Sequence, residues 1–221
     1  GGHYIELDAS QNVTVTGCSF TGHKDSESGN KEAINLDTPD YDTQGFRRGW
    51  TSYDCTANQN VHIVGNTFKD LEVGIGSHSY SENKPHKDIY IENNTIDGCD
   101  YCAIQMFNWE NVTVRNNTMS NISPANVSTN FTFRIRGVKH PKIYNNTIIN
   151  ANRVAIVEWA KQNGKGTKAD SYTPVKYELT TEEWNQLTTQ NKLVNVTELL
   201  VQEYPVVGSG TQPVLHECTS N

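Results

Sequence analysis

A chain of 221 residues that is only 35% apolar is long enough for one substantial core, and that core has to be thin or extended. Its formal net charge of -7, from 25 acidic against 18 basic residues, gives nucleic acid no general attraction. No run of residues approaches the ~18 consecutive apolar positions of a membrane-spanning helix, so a membrane span is excluded too.

In chain order, short β-branched stretches come first. YIELD (4–8) is followed by NVTVTGCSF (12–20) and AINLD (33–37), then by a long insertion over residues 38–58. After it come NVHIVGNTF (60–68), GIGSH (74–78), DIYIENNTI (88–96), AIQMF (103–107), NVTVRNNTM (111–119), RIRGV (134–138), HPKIYNNTI (140–148) and AIVEW (155–159). Two repeating types alternate. The longer type begins with period-two alternation, as a strand does, and reaches Cys18, Asn66, Asn94, Asn117 and Asn146 at matching positions. Short strands recurring at this interval, with little helical signal, predict a parallel β-solenoid in which the matching Asn side chains pair from coil to coil. The gap from Cys18 to Asn66 is the longest and calls for a long insertion or an extra irregular coil.

The NVTVRNNTM type of coil, over roughly residues 3–160, resembles the right-handed parallel β-helix repeats of the pectate-lyase-like superfamily. That resemblance implies an all-β, right-handed parallel β-helix with a long inserted loop, and an extracellular or cell-surface protein of bacterial or phage origin. It implies no single reaction, because related solenoids include lyases, hydrolases, epimerases, tailspikes and adhesins.

The shorter type supplies a candidate face. Ile5, Ile34, Ile75, Ile104, Ile135 and Ile156 are expected to form one inward column. Alternation then turns Glu6, Asn35, Gly76, Gln105 and Arg136 outward, and beside them Asp8, Asp37, His78, Phe107 and Trp159, with Val138 interrupting the second row. Asp8, Asp37 and His78 become catalytic candidates: close carboxylates suit glycoside hydrolysis, and a histidine next to them suits proton abstraction in a lyase or epimerase. Glu6, Glu32, Asn35 and Gln105 can bind sugar hydroxyls, while Phe107 and Trp159 can stack on sugar rings. Arg134 and Arg136, two apart on one strand, can neutralise a uronate or sulfate. The insertion adds Tyr41, Arg47 and Trp50 as a groove wall, and Asp37, Asp40 and Asp42 as oxygen ligands for Ca²⁺, which a hydrolase would not require. His3, His23, His62, His86, His140 and His216 show no metal-ligand spacing and are expected at the surface.

The repeat fades after Trp159. TTEEWNQLT (180–188) predicts a short helix capped near Thr180 or Thr181, and KLVNVTELLVQEY (192–204) a strand that finishes the stack or packs beside it. Residues 1–160 are therefore expected to be coils, and residues 161–221 a C-terminal cap. Because the chain opens directly on a repeat strand, it is expected to be the later part of a larger solenoid, with the missing N-terminal part as a partner. The leading expectation is a polysaccharide-active enzyme, with hydrolysis ahead of lyase or epimerase chemistry. The alternative is a non-catalytic glycan-binding adhesin or tailspike segment.

Overall fold

The computed structural model describes residues 2–23, 31–38, 56–78, 80, 84–122, 131–160, 174–206 and 211–219. The first coil comprises β1 (Ile5–Asp8), β2 (Gln11–Thr16) and β3 (Ser19–His23), and the second β4 (Glu32–Asp37), β5 (Gln59–Val64) and the first part of β6 (Thr67–Gly76), whose end stacks on β4 and opens the third. Then follow β7 (His86–Glu92), β8 (Thr95–Phe107), β9 (Trp109–Arg115), β10 (Thr118–Ile122), β11 (Phe133–Arg136), β12 (Lys139–Tyr144) and β13 (Thr147–Glu158). The helix α1 (Thr181–Thr189) and strands β14 (Lys192–Tyr204) and β15 (Val214–Glu217) complete the described elements.

Strands β2, β5, β7, β9 and β12 stack in parallel as one sheet. A second sheet runs β1-β4-β6-β8-β10-β13-β14-β15, with β3 on β6 and β11 between β8 and β13; only the β14–β15 pair is antiparallel. This is the expected right-handed parallel β-helix. Val15 pairs directly with Ile63, so the long gap holds an insertion and no extra coil separates β2 from β5. Residues 39–55 of that insertion lie outside the described residues.

The polar turn repeats as the Asn spacing predicts. The Cys18 N–H donates to Asn66 Oδ1 at 3.0 Å, and the Asn66, Asn94, Asn117 and Asn146 N–H groups each donate to the next Asn Oδ1 at 2.9–3.1 Å, ending on Asn191. The residue before each rung has positive φ: Gly17, Gly65, Asn93, Asn116 and Asn145, residue types that tolerate the left-handed region. A parallel file of polar groups, buried at Asn58 and His86, runs Ser10, Asn58, His86: Ser10 N–H donates to Asn58 Oδ1 at 2.8 Å and Asn58 N–H to His86 Nδ1 at 3.0 Å. His86 is fully buried, which corrects its expected surface position.

At the C-terminal end, Thr180 and Glu183 form a reciprocal capping box on α1, and β14 joins the sheet against β13. Residues 99–102, a C-x-x-C, lie within β8 and not at a strand-to-helix junction, and burial pushes the Cys102 thiol well up, so nothing favours a redox role.

The isoleucine column holds for four coils: Ile5, Ile34, Ile75 and Ile104 are successive partners. The next two coils depart from it. Phe133 pairs with Ile104 and Ala155, while Ile135 pairs with Met106 and Val157. The outward rows are therefore Glu6, Asn35, Gly76, Gln105, Arg134 and Asp8, Asp37, then Phe107, Arg136, Glu158. Trp159 gives up its expected place to Glu158.

Gly76 sits between Asn35 and Gln105, where a Cβ would overlap the Gln105 carbonyl. Gly76→Ala is expected to lower stability by about 1–3 kcal/mol through overpacking, read as a lower urea midpoint. An unchanged midpoint would show that the coils separate freely there.

Candidate functional site

Ala33, Ile34 and Leu36 of β4 enter the core, whereas Glu32, Asn35 and Asp37 lie outside it. Two consecutive inward residues, Ala33 and Ile34, break simple alternation. Glu32 is nevertheless fully buried, and its carboxylate is the centre of a polar cluster. His78 Nδ1 lies 3.2 Å and His3 Nδ1 3.6 Å from Glu32 Oε2. The other oxygen, Oε1, accepts from Gln105 Nε2 at 3.1 Å, and Gln105 also donates to the Ser77 carbonyl at 2.9 Å. His3 Nδ1 stands 2.7 Å from the Glu32 carbonyl oxygen, and the two imidazoles stack with centroids 5.2 Å apart. Burial pulls the His78 pKa down, but the Glu32 hydrogen bond and the charges of Glu32, Asp37 and Glu6 outweigh it, so the pKa is raised.

Asp8 and Asp37 are direct partners across β1 and β4, so their backbones stand about 4.8 Å apart. Asp37 is 7% exposed and accepts from the Thr38 N–H at 2.8 Å through Oδ1. Asn35 is fully buried, with neither its amide oxygen nor its nitrogen in a hydrogen bond. Glu6 is exposed. Phe107 is covered: Arg136 lies over its ring at 4.5 Å, and Tyr80, whose hydroxyl donates to the Ala160 carbonyl, meets it edge-on at 4.7 Å. The expected stacking of a sugar on Phe107 is thereby corrected, since its face is already occupied. Lys176 Nζ lies 4.9 Å from the Trp159 ring centre. Tyr41, Arg47, Trp50, Asp40 and Asp42 lie outside the described residues.

Further along the same face, Arg134 and Arg136 share one carboxylate. Their Nε atoms lie 3.3 Å and 2.8 Å from Glu158 Oε1, and the Arg134 guanidinium also faces the Tyr101 ring at 5.7 Å. Burial and the neighbouring Arg134 charge lower the Arg136 pKa, against the pull of Glu158. The result is two positive groups against one negative one, held on adjacent outward rows.

Sequence reasoning missed His3. One signal was present: Ile5 partners Ile34, so counting back two residues from each sets His3 beside Glu32. His78 reaches the same carboxylate from the third coil, past Gly76, which has no side chain to intervene.

A family pattern described as "Right handed beta helix region" matches residues 1–119. Two solved structures of the surface adhesin PfbA of Streptococcus pneumoniae are similar to this chain. One has 17% identity and a TM-score of 0.51, covering 91% of this chain and 55% of the other; the second has 13% identity and a TM-score of 0.53, covering 98% and 61%. This chain thus spans somewhat over half the length of those structures, and at such identity the likeness concerns the fold. No curated protein matches.

These findings correct the expectation of a polysaccharide-cleaving hydrolase or lyase. The solved structures that share the fold are of an adhesin, and among the described residues the clustered His and Glu side chains are two imidazoles on one buried carboxylate. No described helix is long and apolar enough to cross a membrane.

Proposed function

Because the chain belongs to the right-handed beta helix family, whose scaffold dictates no single chemistry, we propose that it is a non-catalytic, surface-located glycan-binding solenoid. Within this reading, the NVTVRNNTM type of coil supports membership of the pectate-lyase-like superfamily. The observation that carries the proposal is the Arg134–Arg136 pair, which leaves one positive charge uncompensated by Glu158 on an outward face. Guanidinium groups already oriented by a carboxylate and by the rings of Tyr101 and Phe107 lose little freedom on meeting an anion. An acidic glycan bearing uronate or sulfate groups fits that charge. The surface adhesin structures that share the fold support a binding role and an extracellular or cell-surface location. Ca²⁺ enters this proposal only as a bridge between Asp37 and a uronate, which a chelator would remove.

The test is a panel of sulfated, uronate-bearing and neutral polysaccharides offered to the immobilised protein, with calcium or chelator. Binding to the acidic members, weakened about tenfold or more in Arg134→Gln/Arg136→Gln and by rising salt, is expected. Equal binding to neutral members, or no loss in the double variant, would overturn the assignment.

A further inference from the structure

We propose that His3, Glu32 and His78 form a binding site for a divalent transition-metal ion of the zinc class, clipping the first three coils together. The three side chains come from three successive turns of the solenoid: His3 precedes β1, Glu32 opens β4, and His78 follows β6. One ligand atom from each lies within 4.8 Å of the other two.

The distances match what such an ion requires. Tetrahedral zinc with bonds of about 2.0–2.1 Å sets neighbouring ligand atoms roughly 3.3 Å apart. The Nδ1 atoms of His78 and His3 stand 3.2 Å and 3.6 Å from Glu32 Oε2, so two edges of the tetrahedron's face are nearly formed. The remaining imidazole–imidazole edge, no longer than 4.8 Å, has to close, and the rings, stacked with their planes 18° apart, have to turn so that both in-plane lone pairs meet at the ion. Ligation by His3 through Nδ1 displaces its hydrogen bond to the Glu32 carbonyl, whereas ligation through Nε2 keeps that bond to orient the ring.

A supporting shell exists. Glu32 Oε1 is held by Gln105, itself fixed to the Ser77 carbonyl, which leaves Oε2 directed at the imidazoles. A fully buried carboxylate needs positive charge beside it, and an ion supplies two units where an imidazolium supplies one. Two nitrogen donors with one carboxylate select a borderline transition ion over Ca²⁺, which takes six to eight oxygens. A fourth position stays open to water. The inference stands apart from the glycan reading, since the two rest on different residues.

The experiment uses protein stripped with chelator and dialysed, then titrated with Zn²⁺ by calorimetry, with Ca²⁺ as comparison and Co²⁺ followed by its visible absorption. One Zn²⁺ per chain is expected, with a rise in thermal midpoint on zinc addition and the intense absorption of low-coordinate Co²⁺. His3→Ala, His78→Ala and Glu32→Gln are each expected to weaken binding about tenfold or more, and His62→Asn, on the other sheet, to leave it unchanged. Circular dichroism establishes that each variant is folded. No stoichiometric binding at millimolar zinc, equal affinity in all three variants, or the weak absorption of fully hydrated Co²⁺ with wild-type protein would each overturn the proposal. The cobalt spectrum does so even if a variant fails to fold.

Discussion

Acidification below pH 6.5 is expected to destabilise the solenoid by up to about 5 kcal/mol through His86 alone. Complete burial, opposed only by the Leu36 carbonyl, holds its pKa down from 6.5 to about 3. Nδ1 accepts from the Asn58 N–H at 3.0 Å and faces Asn58 Nδ2 at 3.2 Å, so the neutral ring carries its proton on Nε2. A second proton on Nδ1 would point at two donors, away from water. The folded pKa lies below the unfolded value, so the unfolded chain binds more protons between the two. The contribution is therefore complete above pH 6.5 and is lost as pH falls toward 3, at about 1.36 kcal/mol per unit. His78 acts with the opposite sign: its raised pKa favours the fold below 6.5 and that contribution disappears as pH rises through the folded value. With its side chain 43% exposed, solvent screens much of this, so His86 dominates. Urea unfolding at a series of pH values measures the slope. His86→Asn keeps an acceptor near the Nδ1 position and removes the titration, so it is expected to flatten the slope while lowering stability at neutral pH through the lost ring volume. An unchanged slope in that variant would sink the assignment.

Asn117→Ala is expected to cost about 3–6 kcal/mol. The side chain sits in the middle of the ladder: its Oδ1 accepts from the Asn94 N–H at 2.9 Å and Asn94 Nδ2 at 3.0 Å, and its Nδ2 donates to the Ile91 carbonyl and Asn146 Oδ1, each at 2.9 Å. Alanine leaves the Asn94 N–H, one amide hydrogen and the Ile91 carbonyl buried without these partners, at about 1–2 kcal/mol each. Asn117→Asp, nearly the same shape, turns the two donated bonds into repulsions and adds a buried charge, so it is expected to be worse still. A urea midpoint within error of wild type for either variant would mean that water reaches the turn.

The architecture was legible because each coil places the same local demand on its residues. A turn that needs a left-handed residue followed by a buried amide writes Gly-Asn or Asn-Asn in the four coils after Gly17–Cys18, so Asn66, Asn94, Asn117 and Asn146 repeat at full strength. The role of His86 was legible in principle, since its Nδ1 occupies the acceptor place that Asn58 Oδ1 takes one coil earlier.

Register in the later coils was a different matter. Sliding β11 by two residues keeps every side chain on its own face, so the pattern of apolar and polar residues is satisfied equally by Ile135 or Phe133 beside Ile104. Side-chain packing decided for Phe133, and with it which arginine stands next to Gln105. The apparent sugar platform failed likewise: alternation says that Phe107 leaves the core, but only the folded chain shows Arg136 and Tyr80 covering it.

By itself, then, the sequence determined the parallel β-helix, its Asn ladder, the register of the first four coils and the capped helix with its following strand, because each is a local rule repeated or a local cap. The tertiary structure decided that His3, Glu32 and His78 meet and that Arg134 and Arg136 share Glu158. Register along the chain sets His3 beside Glu32, but only packing between the coils turns both imidazoles onto that carboxylate and both guanidinium groups onto Glu158.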